Sequence, residues 1–164
     1  MILLAALVPT VVGFIWYNPK VFGNAWMKAA DMTEEKIKNA NMGVILAVSL
    51  ILSIMLSFIF STMVIHQSHI GSLFMHEPDF LSQMSAGSGP IYDEYMAMMA
   101  RFEGEFRSFG HGALHGTIAD LFVALPVLGI NALFERKGFK YILLNASYWA
   151  VTLALMGGII CQWG

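Results

Sequence analysis

The stretch MGVILAVSLILSIMLSFIFSTMVI, residues 42–65, decides the fold: it carries no charged side chain. A bilayer core ~30 Å thick is crossed by ~20 predominantly apolar residues in helical form, so this stretch reads as a membrane span. Three others share its character, at about residues 1–17, 112–134 and 141–163. The expectation is an all-α membrane protein with four transmembrane helices. Residues 1–164 are expected to form a single membrane domain.

The composition agrees, with 57% hydrophobic and only 12% charged residues, where soluble domains carry about 25% charged. A net charge of −2 without a basic patch speaks against a nucleic-acid partner. The first stretch lacks a basic leader and a small-residue cleavage site, and it ends in Trp16-Tyr17-Asn18-Pro19-Lys20. That ending reads as an interface anchor on a retained span. The one cysteine, Cys161, excludes an intrachain disulfide.

Charge sets the expected orientation. Lys20, Lys28, Lys36 and Lys38 fall in the first loop, and Arg136, Lys137 and Lys140 in the third. The second loop, residues 66–111, holds only Arg101 and Arg107 among six acids. The positive-inside rule then puts both termini and the long loop on the outer side.

Both longer loops read as partly helical. Phe22 and Trp26, one turn apart between Lys20 and Lys28, suit a short interfacial helix on the cytoplasmic side. The second helix is expected to begin near Thr33, after Asp31 with Glu34 in helix-start spacing, and to run to about His66. In the outer loop Tyr92, Tyr95, Met99, Phe102, Phe106 and Phe109 recur at intervals of three and four. They predict an outer-side amphipathic helix over about residues 90–109. Its acidic, mixed polar face points to docking on protein rather than lipid, with Tyr95, Met99, Phe102 and Phe106 as the interaction residues.

Small residues recur every four positions in three spans: Ser49, Ser53, Ser57 and Ser61; Gly112, Gly116 and Ala124; Ala146, Ala150, Ala154 and Gly158. Such stripes let backbones approach closely. Asp120 interrupts the third span, and an ionisable residue at membrane depth is a functional candidate. Counting inward from His111 and His66 sets Asp120 level with Ser57. Pro126, six residues on, predicts a kink. The readings are proton or cation handling by Asp120, or a protonated Asp120 held by a structural hydrogen bond to Ser57. Asn131 and Asn145 flank the tight third loop and are expected to pair across it.

Histidines supply the candidate chemistry. His111 and His115 are one helical turn apart, and His66 and His69 stand at the outer end of the second helix. Neighbouring helices would bring these imidazoles together in a set that suits zinc or another transition metal. The full zincin signature is missing, and no other cofactor is implied.

Gly13-Phe-Ile-Trp-Tyr-Asn-Pro-Lys-Val-Phe-Gly-Asn-Ala-Trp-Met-Lys28 resembles the opening signature of a bacterial family of small membrane proteins catalogued only as a domain of unknown function. His111-Gly-Ala-Leu-His-Gly116, Leu125-Pro-Val-Leu-Gly-Ile-Asn-Ala-Leu-Phe-Glu-Arg136 and Met156-Gly-Gly-Ile-Ile160 fit the same family. The resemblance implies four spans in a bacterial inner membrane and brings no activity. The expected role is a non-enzymatic bundle, acting as a homo-oligomer or with other membrane subunits in a larger envelope complex. The alternative is a small transporter or channel for a proton, cation or small solute, using Asp120 and the outer histidines. No nucleophile–base constellation or phosphate loop points to an enzyme.

Overall fold

A computed structural model describes all residues, Met1–Gly164. Every regular element is helical. The long ones are α1 (Ile2–Trp16), α4 (Met42–Val64), a continuous helix Phe109–Phe134, and α10 (Phe139–Trp163). The continuous helix consists of α8 (Phe109–Ala119), a π turn and α9 (Leu125–Phe134). The last three long helices are apolar enough to cross a membrane. Helix α1 is apolar but only 15 residues long.

Between α1 and α4 the chain forms α2 (Gly23–Ala30) and α3 (Glu34–Lys38). The expected single helix from Thr33 to His66 is therefore two. Thr33 does cap a helix, its Oγ1 accepting from the Lys36 N–H at 3.2 Å. That helix ends at Asn39, however, and Asn41 caps α4 afresh by accepting from the Val44 N–H at 3.1 Å. Asn side chains compete with the helical backbone for such bonds and so favour caps. Asp31 is not a helix start. It closes α2 in the left-handed region at φ 55°.

The core is built by glycine on the pair α8 and α10. A Cβ on Gly116 would stand 2.1 Å from the Leu153 carbonyl oxygen, so only glycine allows these backbones to meet. Phe60, Val64, Met156, Ile160 and Cys161 fill the space beside them, each at most 2% exposed. Helix α1 packs on α4 and α10 through Ala5 and Ala6, both fully buried. The Tyr148 hydroxyl donates to the Pro9 carbonyl at 2.8 Å.

Lysines and histidines mark opposite ends of the bundle. At the lysine end, Tyr17 donates to Asn145 Oδ1 at 3.1 Å, and Asn145 Nδ2 donates to the Tyr141 carbonyl. Asn131 is exposed on the other side of its helix, so the expected Asn131–Asn145 pair is not formed. At the histidine end, α5 (Ile70–Phe74), α6 (Phe80–Ala86) and α7 (Pro90–Phe102) form a second apolar cluster.

Helix α7 is shorter than the aromatic spacing implied. It stops at Phe102, before Gly104, and a turn follows in which Phe106 takes φ 61°. Tyr95 and Met99 pack on Ile70, Phe74 and Phe80 of the same chain. Phe102 and Phe106 stay exposed, at 39% and 59%. The stripe is thus covered in its first half by its own hairpin.

Candidate metal centre

His111 and His115 are held on one face of α8. Ser108 starts that helix: its backbone is extended, and its Oγ accepts from the His111 N–H at 3.3 Å. His66 comes from the far end of α4. There Ile65 turns extended and the chain enters a 3₁₀ turn, His66–His69. Ser68 closes this break, its backbone N–H and its Oγ both donating to the Ile65 carbonyl, at 3.1 and 2.6 Å. The break swings His66 onto α8.

Three imidazoles converge as a result. The Nε2 atoms of His66 and His111 are 2.9 Å apart, those of His66 and His115 3.2 Å, and those of His111 and His115 3.1 Å. Three nitrogens in a ring cannot all hydrogen-bond in pairs, because donors and acceptors must alternate and three is odd. One pair always opposes like with like. A cation bound by all three lone pairs removes the conflict. Ligands of a tetrahedral zinc with bonds of ~2.0–2.1 Å lie ~3.3 Å apart, close to the spacing seen. The donor set therefore fits a borderline transition metal such as zinc, with one coordination position left open.

The surroundings are built rather than incidental. Phe106 lies against the rings of His66 and His111, with centroids 5.5 and 5.0 Å away. A positive φ is rare for so bulky a residue; here the Phe106 carbonyl accepts from Cys161 Sγ at 3.2 Å, anchoring the turn to α10. Gln67, buried beside His66, donates to the carbonyls of Phe102 and Glu105. A cavity of about 200 Å³ adjoins the centre, lined by His66, Gln67, Ile70, Phe102, Glu105 and Phe106.

The other candidate residues fall elsewhere. His69 stays outside the cluster, exposed next to Ser68, because three residues of 3₁₀ rise carry it ~6 Å along the axis from His66, to the N-cap position of α5. His76 pairs with Glu77 at 3.1 Å in the loop. Asp120 is 6% exposed and opens the π turn, Asp120–Ala124, in which the Leu125 N–H bonds the Asp120 carbonyl. This turn stands where a kink at Pro126 was expected. Ser57 is fully buried but makes no hydrogen bond to Asp120.

One residue that supports the centre escapes a reading of the sequence: Gln67, a polar residue next to an apolar run, a signal that is present but indistinct.

The chain belongs to the family described as "Protein of unknown function (DUF1761)", which matches residues 1–161. No curated protein and no solved structure matches it.

Proposed function

We propose that this protein is a four-span, non-enzymatic bundle of a bacterial inner membrane that binds one divalent transition-metal ion at its outer face. His66, His111 and His115 would hold the ion, with zinc as the reference metal. The observation that carries this reading is the convergence of three Nε2 atoms within 3.2 Å of one another. Two of these residues lie on one helix face, while the third is delivered across 45 residues of chain.

The fourth span in this reading is α1. Its 15 residues reach ~22 Å, so the bilayer thins locally around it. Its packing against α4 and α10 supports a place inside the bundle. Helix α2, with Lys28 in its last turn, would lie in the cytoplasmic headgroup layer. Seven of nine basic residues then face the cytoplasm.

A second reading, assembly with a further copy or another membrane subunit, is favoured by α4. Every residue from Asn41 to Leu52 is exposed there, a helix half with almost no partner in its own chain. Cation transport, the remaining reading, rests on Asp120 instead.

Metal titration of chelator-stripped protein in detergent tests the main reading. One zinc per chain is expected, lost in His66→Ala, His111→Ala and His115→Ala but kept in His69→Ala. Equal zinc content in all four variants would end it.

A further inference from the structure

A cavity of about 500 Å³ lies between α1 and α4, with Tyr148 and Trp149 of α10 at its back. It shares no residue with the three-histidine centre. Its origin is the divergence of two helices. The buried residues of α4 are Ser53, Ser57, Phe60 and Val64, whereas Asn41–Leu52 is exposed throughout. Helix α1 buries nothing after Val12. The two helices pack together at the histidine end, where Ala5, Phe60 and Val64 share one core. Towards the lysine end they part and leave a groove.

The groove follows ~12 Å of α1, from Pro9 to Tyr17, and ~16 Å of α4, from Ile45 to Leu56. Its lining is predominantly apolar, and it opens sideways, since Phe14, Ile45 and Leu52 are exposed on its walls. Both phenols that reach it are engaged elsewhere, Tyr148 donating to the Pro9 carbonyl and Tyr17 to Asn145 Oδ1. An apolar slot holds no ordered water, and left empty it forfeits dispersion contacts on both walls. In a bilayer the filler at hand is an acyl chain.

The lysine end selects the headgroup. Trp16 packs on Phe22 and Tyr17 on Trp26, with ring centroids 4.5 and 5.3 Å apart. Such aromatic girdles sit at headgroup level. Lys20 follows the α1 wall three residues after Tyr17, and Lys38 precedes the α4 wall. Both are exposed, and neither forms an ion pair; the pair at this end joins Lys137 to Asp31. Seven basic residues stand here against four acids. Basic pockets between spans favour anionic headgroups. A second copy inserted in the same direction would bring its own lysines against these, like charge against like.

We propose that the groove between α1 and α4 binds one anionic phospholipid, with an acyl chain between the helices and the phosphate beside Lys20 and Lys38. The proposal rests on α1 lying in the bilayer, as the four-span reading has it, and not on the metal centre.

The probes are phosphatidylglycerol and phosphatidylcholine with identical acyl chains, added to delipidated full chain in detergent and counted by native mass spectrometry. One phosphatidylglycerol per chain is expected, bound about 10-fold more tightly than phosphatidylcholine. Ser49→Phe fills the groove from its α4 wall, where Ser49 is exposed. It should weaken binding of both lipids about 10-fold, the weight of about two buried methylenes. Should that variant fail to fold, Gly13→Leu fills the groove from α1, where an added Cβ meets only the Tyr148 side chain at 3.7 Å. Lys20→Gln combined with Lys38→Gln should keep phosphatidylcholine binding and remove most of the preference for phosphatidylglycerol. Equal affinity of the unaltered chain for the two lipids would overturn the proposal, as would undiminished binding in the filled variants. A lipid-free dimer that Ser49→Phe dissociates would overturn it in favour of a second copy. Val11→Cys, on the exposed side of α1, separates this proposal from its premise. Its labelling by a water-soluble thiol reagent in lipid vesicles would end the four-span reading and the lipid site together. A protected Val11→Cys without lipid preference would end the lipid site alone.

Discussion

A methyl group on Gly112 would stand 2.1 Å from the Gly157 carbonyl oxygen, and one on Gly157 2.2 Å from the Gly112 carbonyl oxygen. The two helices touch backbone to backbone at this point. Gly112 is also the residue after His111, so the contact that packs the bundle positions the candidate metal ligands.

Gly112→Ala and Gly157→Ala are expected to lower stability by about 1–3 kcal/mol each, because an added methyl must push two backbones apart. Gly110→Ala, on the same helix with open space around it, should be neutral or stabilise by less than ~1 kcal/mol. Thermal unfolding in detergent measures all three. Zinc affinity should fall with Gly112→Ala and hold with Gly110→Ala.

Metal affinity should decline on acidification, since zinc binds only the neutral ring. With three ligands the slope approaches about three decades per pH unit at its steepest. Competition with a zinc indicator from neutral to mildly acid pH gives the slope. A pH-independent affinity would exclude imidazole ligation.

At the lysine end Lys137 Nζ donates to Asp31 Oδ2 and to the Ala30 carbonyl, both at 2.8 Å. The Lys137 ammonium, through its hydrogen bond and its charge, holds the Asp31 carboxyl below its usual range. A lowered carboxyl contributes stability above its unfolded value, and that share is lost as pH falls through the lower folded value. Asp31 is open to solvent, so its share is small. Lys137→Met should therefore cost more than Asp31→Asn, because it also strips the donor from the Ala30 carbonyl that ends α2. Unfolding midpoints at neutral and acid pH compare them, and the Asp31→Asn difference should vanish at the acid end.

Arg136 stands at φ 62° just beyond the helix that ends at Phe134, where the Lys137 N–H closes back on the Ala132 carbonyl at 2.8 Å. This is the left-handed closing position that glycine takes without strain. Arg136→Gly is expected to stabilise the fold by about 1 kcal/mol. A lowered unfolding midpoint would show that the arginine side chain itself holds the turn.

Cysteines placed singly within residues 80–90 should react with an impermeant thiol reagent on intact cells, and those at 136–138 should not. The native Cys161 is fully buried and should contribute little background. Labelling of the short loop alone would invert the topology.

Hydropathy is a local property of the chain, which is why the helical membrane character of residues 42–65, 112–134 and 141–163 is legible from composition and length. So are His111 and His115 as neighbours, because a spacing of four is one helical turn. Capping residues are legible too, although Asn41 shows how a second cap can outcompete a longer helix. What packing decides cannot be read along the chain. His66 rather than His69 reaches the centre because α4 breaks at Ile65. Asp120 comes level with Trp149 because two glycines, Gly112 and Gly116, set the register of α8 on α10. Asn145 meets Tyr17 rather than Asn131 because helix rotation turns Asn131 outward. Residue order alone establishes which segments are helical and apolar. Rotation and register, and hence which polar groups meet, arise only when the helices pack, where close backbone contacts at a few glycines outweigh any local preference.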